Sequence, residues 1–467
     1  MNFILLRLTR TYSLLFAGLF LASNTLADDL KIGAASVKIT PPVGASMAGY
    51  FYNRGVEKVH DDLYSKAIVI EKDGSKIAIV SCDLIGISAS IVTQVRKLVE
   101  KSIGIDAAHV MVGATHSHTG PVIPSFRETY VTKNRNGEIL DNYIALLPGL
   151  IAESIQQANA ALKPAKLSYG LGQEHSISFN RRYFMTDGTV GWNPGKLNPK
   201  IVKPAGPIDP DVAVLYAETS EGKAISTYVN LALHLDNVSG TEVSADLPYT
   251  LSTILGKLKG AEMVTLFSQG CSGNINHVNV KTNTPQSGHF EAERIGTVLA
   301  GEVIKTYTRL SPLDINKITV ASEIVDLPLA AISRDELPWA RETASRFGKQ
   351  DAAPFLDFVK AFKMLEIDSR KGKPIEAEIQ VFAIGDQCAV VSLPAEVFTE
   401  IGLYIKSRSP YPYTIITELT NGALGYTPDR KAYVEGNYEV ITSRVAPGSG
   451  EILAENALKM LHQLKDK

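Results

Sequence analysis

The sequence predicts an α/β fold of layered mixed β-sheets flanked by helices. Short runs rich in valine and isoleucine, bounded by turn formers or charges, alternate with longer amphipathic runs. Several of the short runs are apolar at every position, which is typical of strands that are covered on both faces. In one of the longer runs, Ile91, Val95, Leu98 and Val99 recur at helical spacing. This interleaving of strand and helix patterns favours a layered α/β protein.

These patterns predict nine strands and eight helices. The strands lie at 67–71, 77–82, 110–114, 212–217, 225–233, 263–268, 379–384, 389–393 and 414–418. The helices lie at 87–102, 139–161, 248–258, 288–308, 334–346, 351–366, 396–407 and 449–465.

Two intervals differ from this alternation. The segment 180–211 is long, rich in proline and glycine, and without periodicity. Loops of that length are uncommon in compact domains unless they carry function or are disordered. The charged, helical interval 333–373 is the best candidate for an inserted layer.

The first 27 residues are predicted to be a secretory signal peptide. Arg7 and Arg10 precede an apolar run at 12–22 that is too short to span a bilayer comfortably, and Ala27 precedes two aspartates. We therefore expect an exported protein, periplasmic or extracellular, whose mature part is 28–467.

Composition narrows the class of partner. Lysine and arginine number 47 against 49 aspartates and glutamates, so the formal charge of −2 gives no electrostatic footprint for nucleic acid. No later apolar run reaches the roughly 18 residues of a membrane helix. Three cysteines, Cys82, Cys271 and Cys388, allow at most one disulfide, and their apolar surroundings favour buried thiols. A small-molecule partner is expected, and the oligomeric state stays open.

A pair of histidines follows the predicted strand 110–114. His116 and His118 lie in a polar turn that ends in Gly120. Sheets of α/β proteins place active sites at such strand ends. In extended chain, residues i and i+2 point to the same side, so both rings are expected to face one metal or one substrate. A chance occurrence of the pattern is the alternative.

His234 ends the predicted strand 225–233, where a buried imidazole needs a partner. A structural role and a ligand role are about equally consistent with this position. Asp246 follows nearby, either as a carboxylate that orients a ligand histidine or as the N-cap of the helix at 248–258. Both roles are compatible.

A turn rich in glycine follows the predicted strand 263–268. It spans 269–277 and contains Gly270 and Gly273. Such turns often expose backbone N–H groups that can hold an oxyanion. A plain connection between elements is the alternative. The G-x-S-x-G motif of α/β-hydrolases is absent from the sequence.

Together these motifs resemble the catalytic domain of the neutral/alkaline non-lysosomal ceramidases. The resemblance is strongest at 114–121, which is similar to the family's A-T-H-T-H-S-G-P, and the ordered set of motifs covers nearly the whole mature chain. Its other parts lie at 32–35, 39–42, 47–50, 63–67, 80–83, 180–181, 234, 393–396 and 421–426.

The resemblance implies one Zn²⁺ ion held by two histidines, a glutamate and a tyrosine. Carried over by motif, these ligands are His116, His234, Glu396 and Tyr426. Imidazoles and a carboxylate suit zinc, and zinc would favour the ionised form of the phenol. The resemblance also places His118, Arg181 and Tyr438 in the catalytic site.

The sequence departs from the family at two points. The family's nucleophilic serine lies in G-D-V-S-P-N, and Asn276 occupies its position in the segment 273–277. An amide cannot form an acyl-enzyme, and Ser272 belongs to a different step of the turn. The chain ends soon after Tyr438 with the helix at 449–465, so we expect a catalytic domain over 28–467 without the family's immunoglobulin-like module.

We therefore hypothesise an exported, zinc-dependent hydrolase that cleaves an N-acyl amide bond through zinc-activated water. His118 would serve as general base or donor, Arg181 and Tyr438 would stabilise negative charge, and Asn276 would orient the substrate or the oxyanion. The substrate is an N-acyl compound or lipid. The alternatives are a different substrate class, such as a glycan-derived compound, and a non-catalytic zinc-holding protein.

Overall fold

Two β-sheets form the centre of the molecule. The computed structural model describes residues 30–123, 137–347 and 353–467, so the predicted signal peptide at 1–27 lies outside the described residues. The larger sheet has the strand order Val264–Gln269, Ala224–Leu231, Asp211–Thr219, Lys163–Gln173, Lys31–Lys38, Tyr64–Lys72, Ser75–Cys82 and Val110–Ala114, and Ser311–Pro312 also pairs with Lys163–Gln173. The smaller sheet has the order Ile318–Leu327, Ile375–Ile384, Cys388–Ser392 and Tyr413–Thr417.

The two sheets pack face to face with helices on their outer faces. Ile70 and Leu266 of the larger sheet share one buried cluster with Phe382 and Val390 of the smaller sheet. The helices on the larger sheet are Ala89–Ile103, Gly137–Ala160, Leu247–Lys259 and His289–Tyr307. The helices on the smaller sheet are Thr399–Arg408 and Ser449–Lys465. The prediction of layered mixed sheets flanked by helices is confirmed.

Each predicted strand and helix has a counterpart among the described residues, with ends that move by a few residues. Positions 351–352 of the predicted helix at 351–366 lie outside the described residues. One difference concerns the predicted helix at 396–407, which begins only at Thr399 because Glu396–Val397 forms a parallel bridge with Tyr426–Thr427. Another concerns His234, which lies three residues beyond the end of its strand at Leu231.

The proline-rich segment 180–211 is a folded unit and not a plain loop. Arg182–Met185 pairs with both Val190–Trp192 and Ile201–Pro204 in a three-stranded antiparallel sheet. The strands are short, so they leave no periodic signal in the sequence. This small sheet carries Trp192 and Asn193 to the site described below.

In the described parts of the interval 333–373, which are 333–347 and 353–373, two helices pack around an apolar core. Helices Leu337–Ser345 and Phe355–Ser369 pack through a buried cluster that includes Phe358 and Phe362. Phe355 contacts the ring of Tyr438 at a centroid distance of 5.6 Å, which joins this pair to the site. Two further short helices are Arg430–Glu435 and Tyr438–Thr442.

The three cysteines agree with the expectation of buried thiols. Cys82, Cys271 and Cys388 are buried free thiols, and burial raises the pKa of Cys82 and of Cys388 to about 12. Among the described residues, no helix combines the length and the apolar character needed to cross a bilayer.

Candidate metal centre

Three pairs of parallel strands point their carboxyl ends at one place in the molecule. The pairs are Ser75–Cys82 with Val110–Ala114, Ala224–Leu231 with Val264–Gln269, and Cys388–Ser392 with Tyr413–Thr417. Backbone hydrogen bonds join the ends of different pairs, from Ala114 N to Leu419 O at 3.2 Å and from Glu418 N to Gln269 O at 3.0 Å. The carboxyl edge of parallel strands is where open sheets bind ligands, and His116, His234 and Glu396 each follow one of these strands within four residues.

His116 lies two residues beyond its strand in an unusual backbone conformation. Its φ of 71° is left-handed, so the expectation that extended chain aligns the two histidines of the motif is wrong. Its ring is fixed instead by Nδ1, which donates to Ile85 O at 2.6 Å. A hydrogen bond from Nδ1 to a carbonyl leaves Nε2 as the lone-pair nitrogen, as in histidines that bind metals.

Three histidine nitrogens converge at this point. His116 Nε2 lies 3.0 Å from His234 Nε2 and 3.3 Å from His118 Nε2. Glu396 Oε2 lies 3.5 Å from His116 Nε2. The structure thus brings two predicted ligands and the predicted catalytic histidine into one cluster, with the predicted glutamate beside it.

The rings of His116, His118 and His234 are better suited to bind a cation than to form hydrogen bonds with one another. Burial lowers the pKa of His118 to about 3 and that of His234 well below its usual range, so both are neutral. The single lone pair of His116 Nε2 cannot satisfy both neighbouring rings. In the part of the chain that the structure describes, Nδ1 of His118 and Nδ1 of His234 are buried without a hydrogen-bond partner. Neutral imidazoles beside a carboxylate form a donor set that suits zinc.

Glu396 and Tyr426 are neighbours because their segments pair. They face each other in the parallel bridge, and Glu396 N donates to Gly425 O at 3.0 Å. Burial raises the pKa of Tyr426 well above its usual range, and the positive charge of Arg181 opposes this rise. The guanidinium carbon of Arg181 lies 5.2 Å from the centre of the Tyr426 ring.

Arg181 is held rigidly in the wall of the site. Its Nε donates to Glu439 Oε1 at 2.9 Å and its Nη2 donates to Gly273 O at 2.8 Å. Burial disfavours its charge, but the attraction of Tyr426 and Glu439 outweighs burial and raises the pKa of Arg181. The buried Glu439 therefore stabilises the positive charge of Arg181 beside the histidine cluster.

Tyr438 is the first residue of a short helix and lies in the same wall. Its ring lies 4.4 Å from Trp192 and 5.4 Å from Tyr426 between centroids. All site residues that the resemblance implied, Asn276 excepted, are thereby placed around one centre.

Four N–H groups of the glycine-rich turn are already bonded within the protein. Gly270, Ser272, Gly273 and Ile275 all donate their backbone N–H to protein acceptors. The hydroxyl of Ser272 is buried and donates to Glu418 Oε1 at 2.6 Å. The alternative of a plain connection is therefore the one that the structure favours.

Asn276 lies behind the wall of the site. It is only 1% exposed, its Nδ2 donates to Asn193 Oδ1 at 3.0 Å, and its Oδ1 accepts from Val278 N at 3.0 Å. Asn193, in contrast, lines the cavity. Asn276 is thus placed to act on the site through Asn193.

Asp246 is the N-cap of the helix Leu247–Lys259. Its carboxylate accepts hydrogen bonds from the N–H groups of Leu247, Asn237 and Val238. The N-cap interpretation is confirmed, and the bonds of this carboxylate go to backbone and to the Asn237 amide rather than to a histidine ring.

Two cavities flank a wall formed by His118, Tyr426 and Tyr438. One, of about 190 Å³, also reaches His116 and Glu396 and has an apolar side with Ile85, Ile123, Leu419 and Ala423. The other, of about 460 Å³, reaches His234 and Arg181 and is rich in aromatic rings. Its further lining residues are Gly49, Tyr50, Phe51, Tyr52, Trp192, Asn193, Asp236 and Phe355.

Sequence reasoning missed Asp236, which lies two residues after His234. Its Oδ1 accepts a hydrogen bond from His277 Nδ1 at 2.9 Å, and His277 Nε2 donates to Gln286 O at 2.8 Å. Burial disfavours the charge of both side chains, but their mutual attraction and hydrogen bond have the larger effect. The pKa of Asp236 therefore falls to about 2, and the pKa of His277 rises. The spacing His-x-Asp after a strand was the available signal.

Comparisons with known proteins agree with the resemblance. Residues 30–189 match the family model of the neutral/alkaline non-lysosomal ceramidase N-terminal domain. The neutral ceramidase of Pseudomonas aeruginosa is 27% identical over 294 residues, which are 59% of this chain and 41% of that protein. The chain thus spans about two fifths of the length of this relative.

Solved structures show the same fold. A crystal structure of the Pseudomonas aeruginosa neutral ceramidase superposes with a TM-score of 0.73 and 19% identity, covering 94% of this chain and 75% of that one. A structure described as ceramidase complexed with C2 gives a TM-score of 0.72 and 17% identity over the same shares.

Proposed function

The chain belongs to the neutral/alkaline non-lysosomal ceramidase family, and from this premise we propose that it is a zinc-dependent hydrolase of N-acyl amide bonds. The observation that carries the proposal is the convergence of His116, His118 and His234, with Glu396 Oε2 3.5 Å from His116 Nε2. The predicted export of the protein to the periplasm or the extracellular space is part of the proposal.

The metal would be held by His116, His234, Glu396 and Tyr426. The hydrogen bond from His116 Nδ1 to the Ile85 carbonyl supports this assignment because it aims Nε2 at the cluster. When bound, zinc would polarise the substrate carbonyl and supply a hydroxide nucleophile at neutral pH.

The remaining polar groups of the site would handle protons and charge. His118 Nε2 lies 3.3 Å from His116 Nε2, so it is placed to accept the proton of the attacking water and to return it to the leaving amine. Arg181 carries a charge fixed by Glu439, and Tyr438 lies in the same wall. Both would stabilise the negative charge that develops on the carbonyl oxygen.

The proposed nucleophile is water and not a side chain. Asn276 occupies the position of the family's serine, and the nearby Ser272 is buried in a hydrogen bond to Glu418. Asn276 would orient Asn193 through their 3.0 Å hydrogen bond, which makes it a positioning residue.

A non-catalytic zinc-holding protein is the second candidate. Its specific support is the loss of the serine at position 276. The wall of His118, Arg181 and Tyr438 argues against it, because metal binding alone does not require a buried, charged arginine beside the cluster.

The variant Glu396→Gln tests the proposal. It removes the charge of one ligand while it keeps the size of the side chain, so we expect zinc affinity to fall at least tenfold and hydrolysis of N-acyl substrates to fall with it. Metal content and hydrolysis would be measured on the same zinc-loaded preparations. Unchanged hydrolysis of every substrate that the wild type cleaves would refute the zinc mechanism.

A further inference from the structure

Asp236 presents a hydrogen-bond acceptor to the larger cavity. Its Oδ1 is engaged by His277, while Oδ2 accepts no hydrogen bond from the residues that the structure describes. The side chain is 23% exposed, and the residue lines the cavity together with His118 and His234. A carboxylate oxygen that is fixed in place and open to a cavity is suited to accept a hydrogen bond from a ligand.

The pairing of Asp236 decides what kind of donor fits. His277 donates from both ring nitrogens, to Asp236 and to Gln286 O, so it is an imidazolium that neutralises the carboxylate. Arg181, the other charged residue in the lining of this cavity, shares Glu439 with Arg182, so this part of the wall adds no free negative charge that would attract a cation. With the carboxylate already neutralised, an ammonium group gains little here, and a neutral hydroxyl donor is the better match.

Aromatic rings surround this acceptor. Tyr50, Tyr52, Trp192, Phe355 and Tyr438 all line the same cavity. Trp192 packs on Tyr438 at 4.4 Å between centroids and on Phe355 at 5.9 Å. Aromatic faces attract the weakly positive C–H edges of a neighbouring ring, and sugar rings expose C–H groups on their faces.

We propose that Asp236 is a specificity-determining residue that accepts a hydrogen bond from a hydroxyl group of an N-acylated amino sugar. The inference rests on the proposed amide hydrolysis and names the substrate class. The sugar would lie in the aromatic cavity of about 460 Å³, a volume within the usual range for small-ligand sites. Its acyl group would extend past the wall of His118 and Tyr426 to the apolar side of the smaller cavity.

The test compares two substrates that share one acyl chain, N-hexanoyl-glucosamine and N-hexanoyl-sphingosine. We expect the zinc-loaded wild type to hydrolyse the amino sugar with the higher kcat/KM. Asp236→Asn should lower kcat/KM for the amino sugar about 10- to 100-fold, as expected for the loss of one hydrogen bond to a charged acceptor. Asp326→Asn, at an exposed position of the strand Ile318–Leu327, is the matched control and should change nothing.

Binding gives a second readout that does not need turnover. Calorimetry should show N-hexanoyl-glucosamine bound by metal-free wild type and at least tenfold weaker binding by Asp236→Asn. Tyr52→Ala should weaken binding as well, and it can be made safely because Tyr52 is 53% exposed.

The outcomes separate the two levels of the proposal. Hydrolysis of neither substrate, with sugar binding that depends on Asp236, would refute the proposed reaction and keep the role of Asp236. A preference for the sphingosine amide, or sugar binding and hydrolysis unaffected by Asp236→Asn, would overturn the inference while amide hydrolysis could stand.

Discussion

His116 Nε2 and His234 Nε2 lie 3.0 Å apart, although 118 positions separate the two residues in the chain. The carboxyl ends of two parallel strand pairs in the larger sheet carry them to the same edge. Both rings are buried, and together with His118 they form a group of nitrogens that could hold a metal ion.

His118 should be needed for turnover more than for the metal. His118→Asn is expected to keep close to one zinc per chain and to lower kcat at least 100-fold, the usual contribution of a general acid–base group. Metal analysis and steady-state kinetics on one preparation check this. His175→Asn, at an exposed histidine that lines neither cavity of the site, is the control. Loss of the metal in His118→Asn would instead make His118 a ligand.

Ser272 should be dispensable for catalysis. Its hydroxyl is a structural donor to the buried Glu418, so Ser272→Ala is expected to destabilise the fold by about 1–3 kcal/mol. The value of kcat/KM should stay within a few-fold of the wild type below the melting temperature. Denaturant unfolding and kinetics would be compared. An inactive Ser272→Ala protein of normal stability would identify Ser272 as the missing nucleophile.

Gly273 should control the position of Glu396. A Cβ atom at Gly273 would lie 2.6 Å from Glu396 O, a backbone atom that cannot rotate away, so Gly273→Ala must displace the bridge that carries Glu396. We expect zinc affinity to fall at least tenfold and the melting temperature to drop. Gly256→Ala is the matched control, because its Cβ meets nothing within 4 Å and alanine favours a helix. Equal effects of the two substitutions would contradict this coupling.

Lys363 should make stability depend on pH. Its ammonium donates to Val440 O in the helix of Tyr438, and burial lowers its pKa from 10.5 to about 8. Between these values the unfolded chain binds more protons, so the free energy of unfolding should rise as pH increases from about 8 to about 10.5.

The variant Lys363→Met isolates this effect. In this variant the free energy of unfolding should no longer increase over this pH range as it does in the wild type. Lys97→Met, at an exposed position, should retain the increase. Denaturant unfolding at several pH values measures the difference. A rise of equal size in the wild type and in Lys363→Met would show that Lys363 is not its source.

The sequence was most informative where strands end in polar residues. His116 and His118 were predicted as site residues from their place after a strand. The orientation of the His116 ring, however, comes from a left-handed backbone and a hydrogen bond to a carbonyl rather than from extended chain. Glu396 has no such signal, because its place in a two-residue bridge depends on a pairing with Tyr426, thirty positions further on. Only the resemblance to a known family pointed to it.

The residues that were missed act through distant partners. Asp236 depends on His277, and Glu439 matters because it fixes the charge of Arg181, which lies 258 positions earlier in the chain. Short strands such as Arg182–Met185 were missed for the same reason, since they are stabilised by pairing rather than by local pattern. Long-range pairings of this kind leave no period in a single sequence.

The most direct test titrates metal-free protein with zinc while hydrolysis of an N-acyl amide is measured, with His234→Ala in parallel. We expect the rate to rise in proportion to bound zinc, to reach a plateau at one zinc per chain, and to stay near zero in His234→Ala. Full hydrolysis by the metal-free protein, or equal zinc binding and turnover in His234→Ala, would contradict the proposed metal centre.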